Sequence, residues 1–214
     1  TNSYGGSCGS SSTSATSEVG KDNVTIILTQ TDNSTALSEG LYDDCSITVT
    51  DPAGNTSDAL FVNTFEVDTT APTVSSTSPT NDNSSVSVSD NISVIFSDSM
   101  DNTSVTTNYS NTTCSGYSFQ VSSDNFSSCV QMSSSPSSSD NLTFTVTPSL
   151  KMFYSTTYKI RVTTAVKDSA GNNIASEYTQ TDGFKTTITV PMTAGFAHSC
   201  FMLDNGSVKC WGEN

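Results

Sequence analysis

The side chains with the most chemistry in this chain are six cysteines. They fall into three sequence-local pairs: Cys8 with Cys45, Cys114 with Cys129, and Cys200 with Cys210. None forms a Cys-x-x-Cys, and the only histidine, His198, cannot complete a Cys/His zinc site of the usual spacing. The pairs therefore read as disulfides, staples that compensate for a thin core and imply an oxidising, extracytoplasmic location. Catalytic chemistry has little to work with. A nucleophile needs a base beside it, and one histidine late in the chain is a poor supply. Glycosidase chemistry needs two carboxylates across a cleft, whereas the acids here are scattered through turns. Gly5-Gly6 precedes no strand-to-helix step, so there is no phosphate loop. No catalytic residue is assigned, and the chain reads as a non-enzyme.

Oxygen ligands and modification sites come next. Of 21 acidic residues 16 are Asp, a bias toward turn formers and possible Ca2+ ligands. No resident metal is assigned; calcium is the one cofactor worth carrying, with Asp51, Asp68, Asp98, Asp101 and Asp168 as candidate ligands in oxygen-rich turns. Eleven Asn-x-Ser/Thr sequons stand at Asn23, Asn33, Asn55, Asn83, Asn91, Asn102, Asn108, Asn111, Asn125, Asn141 and Asn205. Composition alone yields roughly half that number, so the excess is about twofold. Seven basic against 21 acidic residues give a net charge of -14, which repels nucleic-acid phosphates and anionic lipid surfaces.

The elements that must position these residues are strands. Only 33% of the 214 residues are hydrophobic, while 41 Ser and 34 Thr carry small hydroxyls, a composition unsuited to helices. The apolar runs are short, as in Val24-Thr25-Ile26-Ile27-Leu28, far below the eighteen or so residues of a membrane helix. One unit repeats. Tyr42 to Val49 leads to Asp51-Pro52-Ala53-Gly54-Asn55, and Tyr158 to Val162 leads to Asp168-Ser169-Ala170-Gly171-Asn172. Period-two alternation puts Cys45, Ile47 and Val49 on one face, and Tyr158, Ile160 and Val162 on one face in the second copy. Asp-x-Ala-Gly-Asn supplies an Asx-type turn with a glycine free to take positive φ. Each copy then closes on an aromatic, Phe65 or Phe184. Tyr42 and Tyr158 fit either a tyrosine corner or an amphipathic core-edge role.

Further strands are expected at Ile92-Phe96, Tyr117-Val121, Leu142-Val146 and Lys159-Val162, with Ser133-Ser139 as a mobile loop. Asp68-Thr69-Thr70-Ala71-Pro72 reads as a stiff junction. The expected organisation is thus all-β, tandem antiparallel sandwiches at 1-70 and 71-187, then a linker and hairpin at 188-214.

The stretch from Ala71-Pro72 through Phe96-Ser97-Asp98-Ser99-Met100-Asp101, Thr147-Pro148, Leu150, Tyr158 and Asp168-Ser169-Ala170-Gly171-Asn172 to Phe184-Lys185-Thr186 resembles the bacterial Ig-like domains of surface-layer proteins and adhesins. The Cys114 to Cys129 insertion departs from that pattern. The first segment, ending Phe65-Glu66-Val67-Asp68, is similar to the tail of a tandem Ig-like repeat; with four or five expected strands it lacks one or two leading ones. Gly195 to Asn214 resembles the start of a repeat of the regulator of chromosome condensation propeller family, with Asp204-Asn205-Gly206-Ser207 as its turn, so either the parent chain is expected to continue or the hairpin serves another purpose. The resemblance implies an extracellular, cell-surface stalk or adhesive repeat. Its expected partners are neighbouring repeats or identical subunits. An alternative is a filament subunit whose tail, including Ile188-Thr189-Val190, adds a strand to the next copy. A third reading is a module binding a glycan or a host or abiotic surface, for which Phe119, Phe126 and Phe153 are the candidate exposed aromatics, core or edge packing being the plainer role of each.

Overall fold

The computed structural model describes residues 2–10, 27–32, 34–187, 198–202 and 208–212. All regular structure among them is β. The chain divides into two compact units, Thr1–Thr69 and Thr70–Asn214.

In the first unit the strands are β1 (Asn2–Gly5), β2 (Gly9–Ser10), β3 (Leu28–Thr29), β4 (Gly40–Tyr42), β5 (Ser46–Val49), β6 (Leu60–Phe61) and β7 (Phe65–Val67). Seven segments stand where sequence alone suggests four or five, because several are only two residues long and carry no readable alternation. They pair antiparallel as β1-β5-β6, β2-β3 and β4-β7. The core is small, built on Cys8, Cys45 and Tyr42 with Leu28, Leu37, Val62, Phe65 and Val67 packed against them.

The second unit is an Ig-like sandwich of β8 (Val74–Ser78), β9 (Val86–Ser87), β10 (Ile92–Phe96), β11 (Phe119–Ser122), β12 (Thr143–Val146), β13 (Thr157–Val162), β14 (Tyr178–Thr179) and β15 (Phe184–Thr187). One sheet runs β12-β10-β8 and the other β11-β13-β15-β9, with β14 on β13. All these pairs are antiparallel except β15 with β9, which is parallel. Alternation does what the residue pattern requires. Ile92, Val94 and Phe96 turn inward from β10, Phe144 and Val146 from β12, and Tyr158, Ile160 and Val162 from β13 into one shared core. Phe96 and Phe144 meet edge to face at 5.8 Å.

Strand β11 breaks the alternation: Phe119, Gln120, Val121 and Ser122 are all buried. Its outer face is closed by the excursion bearing Cys114 and Cys129. Gln120 Nε2 donates to the carbonyls of Cys114 and Tyr117 at 2.8 and 2.6 Å. Arg161, opposite Gln120 across the ladder, donates through Nε and Nη2 to Gln120 Oε1 and stacks 3.9 Å over the Phe126 ring. Ser133-Ser139 also differs from expectation. Ser137 and Thr145 exchange backbone hydrogen bonds at 2.9 Å each, and Ser133 N–H donates to Thr147 O, so backbone pairing along β12 replaces the missing apolar anchor.

Beyond Thr187, β16 (His198–Met202) and β17 (Val208–Gly212) form an antiparallel hairpin in which Cys200 faces Cys210. Its expected turn, Asp204-Asn205-Gly206-Ser207, and the expected strand Ile188-Thr189-Val190 lie outside the described residues, as do Val24, Thr25 and Ile26.

Candidate functional site

Two turns of one design close the two units. In the first, Asn55 N–H donates to Asp51 Oδ1 at 2.8 Å and Asn55 Nδ2 to Asp51 Oδ2 at 2.9 Å. In the second, Asn172 N–H donates to Asp168 Oδ1 at 2.8 Å and Asn172 Nδ2 to Asp168 Oδ2 at 3.0 Å. Gly54 and Gly171 sit at φ of +92° and +99°, where a side chain would be strained. The five-residue clasp is therefore local chemistry that any strand pair could carry. Its setting differs, since Asp51 is exposed and Asp168 is buried.

The aromatic ends match as well. Tyr42 lies across the β4-β7 ladder from Phe65, stacked at 5.2 Å, and Tyr158 lies across β13-β15 from Phe184, stacked at 5.8 Å. The Tyr42 hydroxyl donates to Ser38 O at 2.9 Å, while the Tyr158 hydroxyl accepts from Phe153 N–H at 2.9 Å. Both tie back to backbone four or five residues upstream, which is the corner arrangement. Burial raises the Tyr158 phenol above its ordinary value, so the hydroxyl stays protonated.

Cys8 is bonded to Cys45, Cys114 to Cys129 and Cys200 to Cys210, and among the described residues no cysteine is free. The Cys114–Cys129 excursion holds a further capped turn. Asp124 accepts from Ser128 Oγ at 2.6 Å, Ser128 N–H at 2.9 Å and Ser122 Oγ at 2.8 Å, and these donors hold its carboxyl at about 2.

The five candidate calcium ligands are dispersed among different tasks. Asp51 serves its clasp, and Asp101 accepts from Thr103 N–H and Oγ1, which with Lys167 nearby lowers its pKa. Asp68 is half-buried, just after β7 in the first unit. Asp98 and Asp168 are brought within 4.8 Å, oxygen to oxygen, because Met100 bridges Asp168 and Ser169 N–H donates to Ser99 O. Of the sequons, Asn23, Asn33 and Asn205 lie outside the described residues. Asn55, Asn83, Asn91, Asn102, Asn111, Asn125 and Asn141 are exposed. Asn108 is a correction: it is 0% exposed and its Nδ2 donates to Asn111 O, so this fold leaves no room for a sugar there.

The three candidate surface aromatics also part company. Phe119 is core, Phe126 is half-buried under Arg161, and Phe153 alone stands out, 76% exposed. Phe153 edges a groove of about 320 Å³ whose other walls include Leu150, Lys151, Met152, Cys129 and Tyr158. Sequence reasoning missed this groove. The signal was Leu150-Lys151-Met152-Phe153, a partly apolar loop without a turn motif, and only the excursion packed beside it makes a wall.

A disulfide-braced, all-β chain with an Ig-like sandwich at its centre is the class these features define. The bacterial Ig-like domain family profile matches residues 68–187, more than half of the chain, and the chain belongs to that family. A second profile, the regulator of chromosome condensation repeat, matches residues 192–214. No curated protein matches the chain. Among solved structures, the chain is similar to the S-layer protein rSbsC(31-844), with 22% identity, TM-score 0.39, and 58% of this chain and 15% of that one covered. The N-terminal part of the bacterial S-layer protein SbsC matches with 21% identity, TM-score 0.40, and 58% and 25% covered. The chain thus spans a quarter or less of these S-layer structures.

Proposed function

We propose that this chain is a non-enzymatic structural and adhesive module of a bacterial cell-surface protein, working as a stalk of tandem Ig-like units. The observation that carries the reading is duplication. The same cross-strand Tyr–Phe pair and the same Asp-to-Asn clasp end both units, within a chain that belongs to the bacterial Ig-like domain family. A stalk needs little else: ladders of backbone hydrogen bonds, crosslinks that cap how far a loop can extend, and a hydrated face. Cys8–Cys45 and Cys114–Cys129 limit extension of 37 and 15 residues of chain, and hydroxyl-rich, acidic faces discourage indiscriminate sticking. Antibody to the second unit should label intact cells of the source bacterium. Label seen only after lysis would overturn the reading.

A second reading, self-assembly by strand addition, is favoured by β6. It is the edge of its sheet, and Leu60 and Phe61 are 69% and 70% exposed on it. Sedimentation decides: a chain that stays monomeric with and without residues 188–214 is a stalk and not a filament subunit. Calcium would find hard carboxylate oxygens at Asp98 and Asp168, fewer than the six to eight oxygens it takes, so other groups would have to complete the shell. A melt identical with and without chelator removes that ion.

A further inference from the structure

The groove beside the Cys114–Cys129 excursion has a volume of about 320 Å³, at the small end of the range for ligand sites. Buried Met152 and Cys129 form its floor, and Phe153 and Leu150, 76% and 80% exposed, stand at its edge. An exposed aromatic is ordinarily unremarkable, but this one is held. Phe153 N–H donates to the Tyr158 hydroxyl at 2.9 Å, and Phe153 O accepts from Thr186 Oγ1 at 2.6 Å, both partners being buried. The backbone beneath the ring is thus fixed from two sides, so the cost of ordering that backbone is met in folding and not at binding.

The polar side of the groove has the opposite character. Ser123, Ser149 and Lys151 line it, and none of these side chains has a hydrogen-bond or ion-pair partner among the described residues. Among the described residues no carboxylate lines it. The nearest acid along the excursion, Asp124, does not line the groove but keeps its negative charge behind Ser128, which does, its carboxylate accepting from Ser122 and Ser128. The net charge of -14 is unevenly spread: five of the seven basic residues lie between Lys151 and Lys185. Charges beyond about 8 Å are largely screened at physiological ionic strength, and among the described residues Lys151 is the one charged side chain that lines the groove.

We propose that this groove binds a carboxylated sugar residue of a glycan. The C–H face of a pyranose ring is apolar and packs on the electron-rich face of Phe153 and on Leu150. Its hydroxyls meet Ser123 and Ser149, and its carboxylate meets Lys151. The proposal rests on the adhesive part of the surface-module reading and names its ligand class. Uronic and sialic acids share this chemistry, and the test separates them.

The full chain, isotopically labelled, is titrated with trigalacturonate, with sialyllactose and with neutral maltotriose, each to about 10 mM, enough to populate a complex with Kd near 1 mM. Amide shifts at Ser149, Lys151 and Phe153 with one acidic sugar, stronger than with maltotriose, are expected. Phe153→Ala should weaken binding at least tenfold with an unchanged melt, and Lys151→Gln should reduce the acidic sugar to the level of the neutral one. Tyr158→Phe keeps the ring on Phe184 but frees the Phe153 N–H, and should weaken the same sugar without altering the acidic-to-neutral preference. Silence toward both acidic sugars, equal binding of maltotriose, or an indifferent Phe153→Ala each overturns the proposal. Labelling of intact cells does not depend on these variants, so its failure would strike the surface reading and leave the groove to its own test.

Discussion

Removing the Cys114–Cys129 crosslink tests whether the excursion is held in place by its bond or by its contacts. The pair closes 15 residues, a loop whose restriction of the unfolded ensemble is worth about 3 kcal/mol at 25 °C on the chain-entropy account. In the folded unit the excursion has other anchors. Gln120 bonds the Cys114 and Tyr117 carbonyls, Arg161 covers Phe126, and Val130 N–H donates to Val121 O at 2.8 Å. The native geometry should therefore survive Cys114→Ala with Cys129→Ala, and the loss should fall on the unfolded state. For a unit of this size each kcal/mol moves Tm by roughly 3–5 °C, so the transition should fall by about 10–15 °C. The urea m-value should rise as the unfolded chain expands. Hydrogen exchange at Phe119–Ser122 reads the second unit separately from the first. Those amides should lose protection in step with the global transition and gain no faster local opening. A destabilisation below about 1 kcal/mol, or exchange at β11 that becomes fast while β10 stays protected, would refute the reasoning.

The other predictions are shorter. Phe119→Ala should cost about 3–5 kcal/mol in urea unfolding because its ring is wholly buried, whereas Phe153→Ala should stay within about 0.5 kcal/mol. Asp168→Ala strips two hydrogen bonds from Asn172 at a buried position and should cost about 2 kcal/mol or more, while the same change in the exposed twin, Asp51→Ala, should barely move the melt of the first unit. Asp32, Asp124 and Asp140 are each held at about 2 against an ordinary 3.8, chiefly by the Thr35 side chain, the Ser128 side chain and the Thr143 backbone respectively. Their folded pKa is depressed, so the stability they contribute is complete above the unfolded value and is lost as pH falls from about 4 to about 2. Urea midpoints across that window should drop, and Asp124→Asn with Asp140→Asn should flatten the slope.

What the residue order determines alone is whatever depends on neighbours along the chain. Alternation in Ile92-Ser93-Val94-Ile95-Phe96 makes a half-buried strand wherever it is placed, and Asp-x-Ala-Gly-Asn closes its clasp with its own five residues, so strand class and both turns were legible. The boundaries of β11 were less so: the strand runs Phe119–Ser122 and not from Tyr117, since Tyr117 lends its carbonyl to Gln120. Tertiary structure decided which of three similar phenylalanines is exposed, that Asn108 is sealed inside, and that serine-rich Ser133-Ser139 is tied to β12. Burial is set by what packs on top of a residue: Arg161 of β13 covers Phe126, and Met132 N–H donates to Asn108 O. The groove at Phe153 has the same origin: its aromatic, its buried Tyr158 and Thr186 anchors and its disulfide wall come from separate stretches that only the folded sandwich brings together.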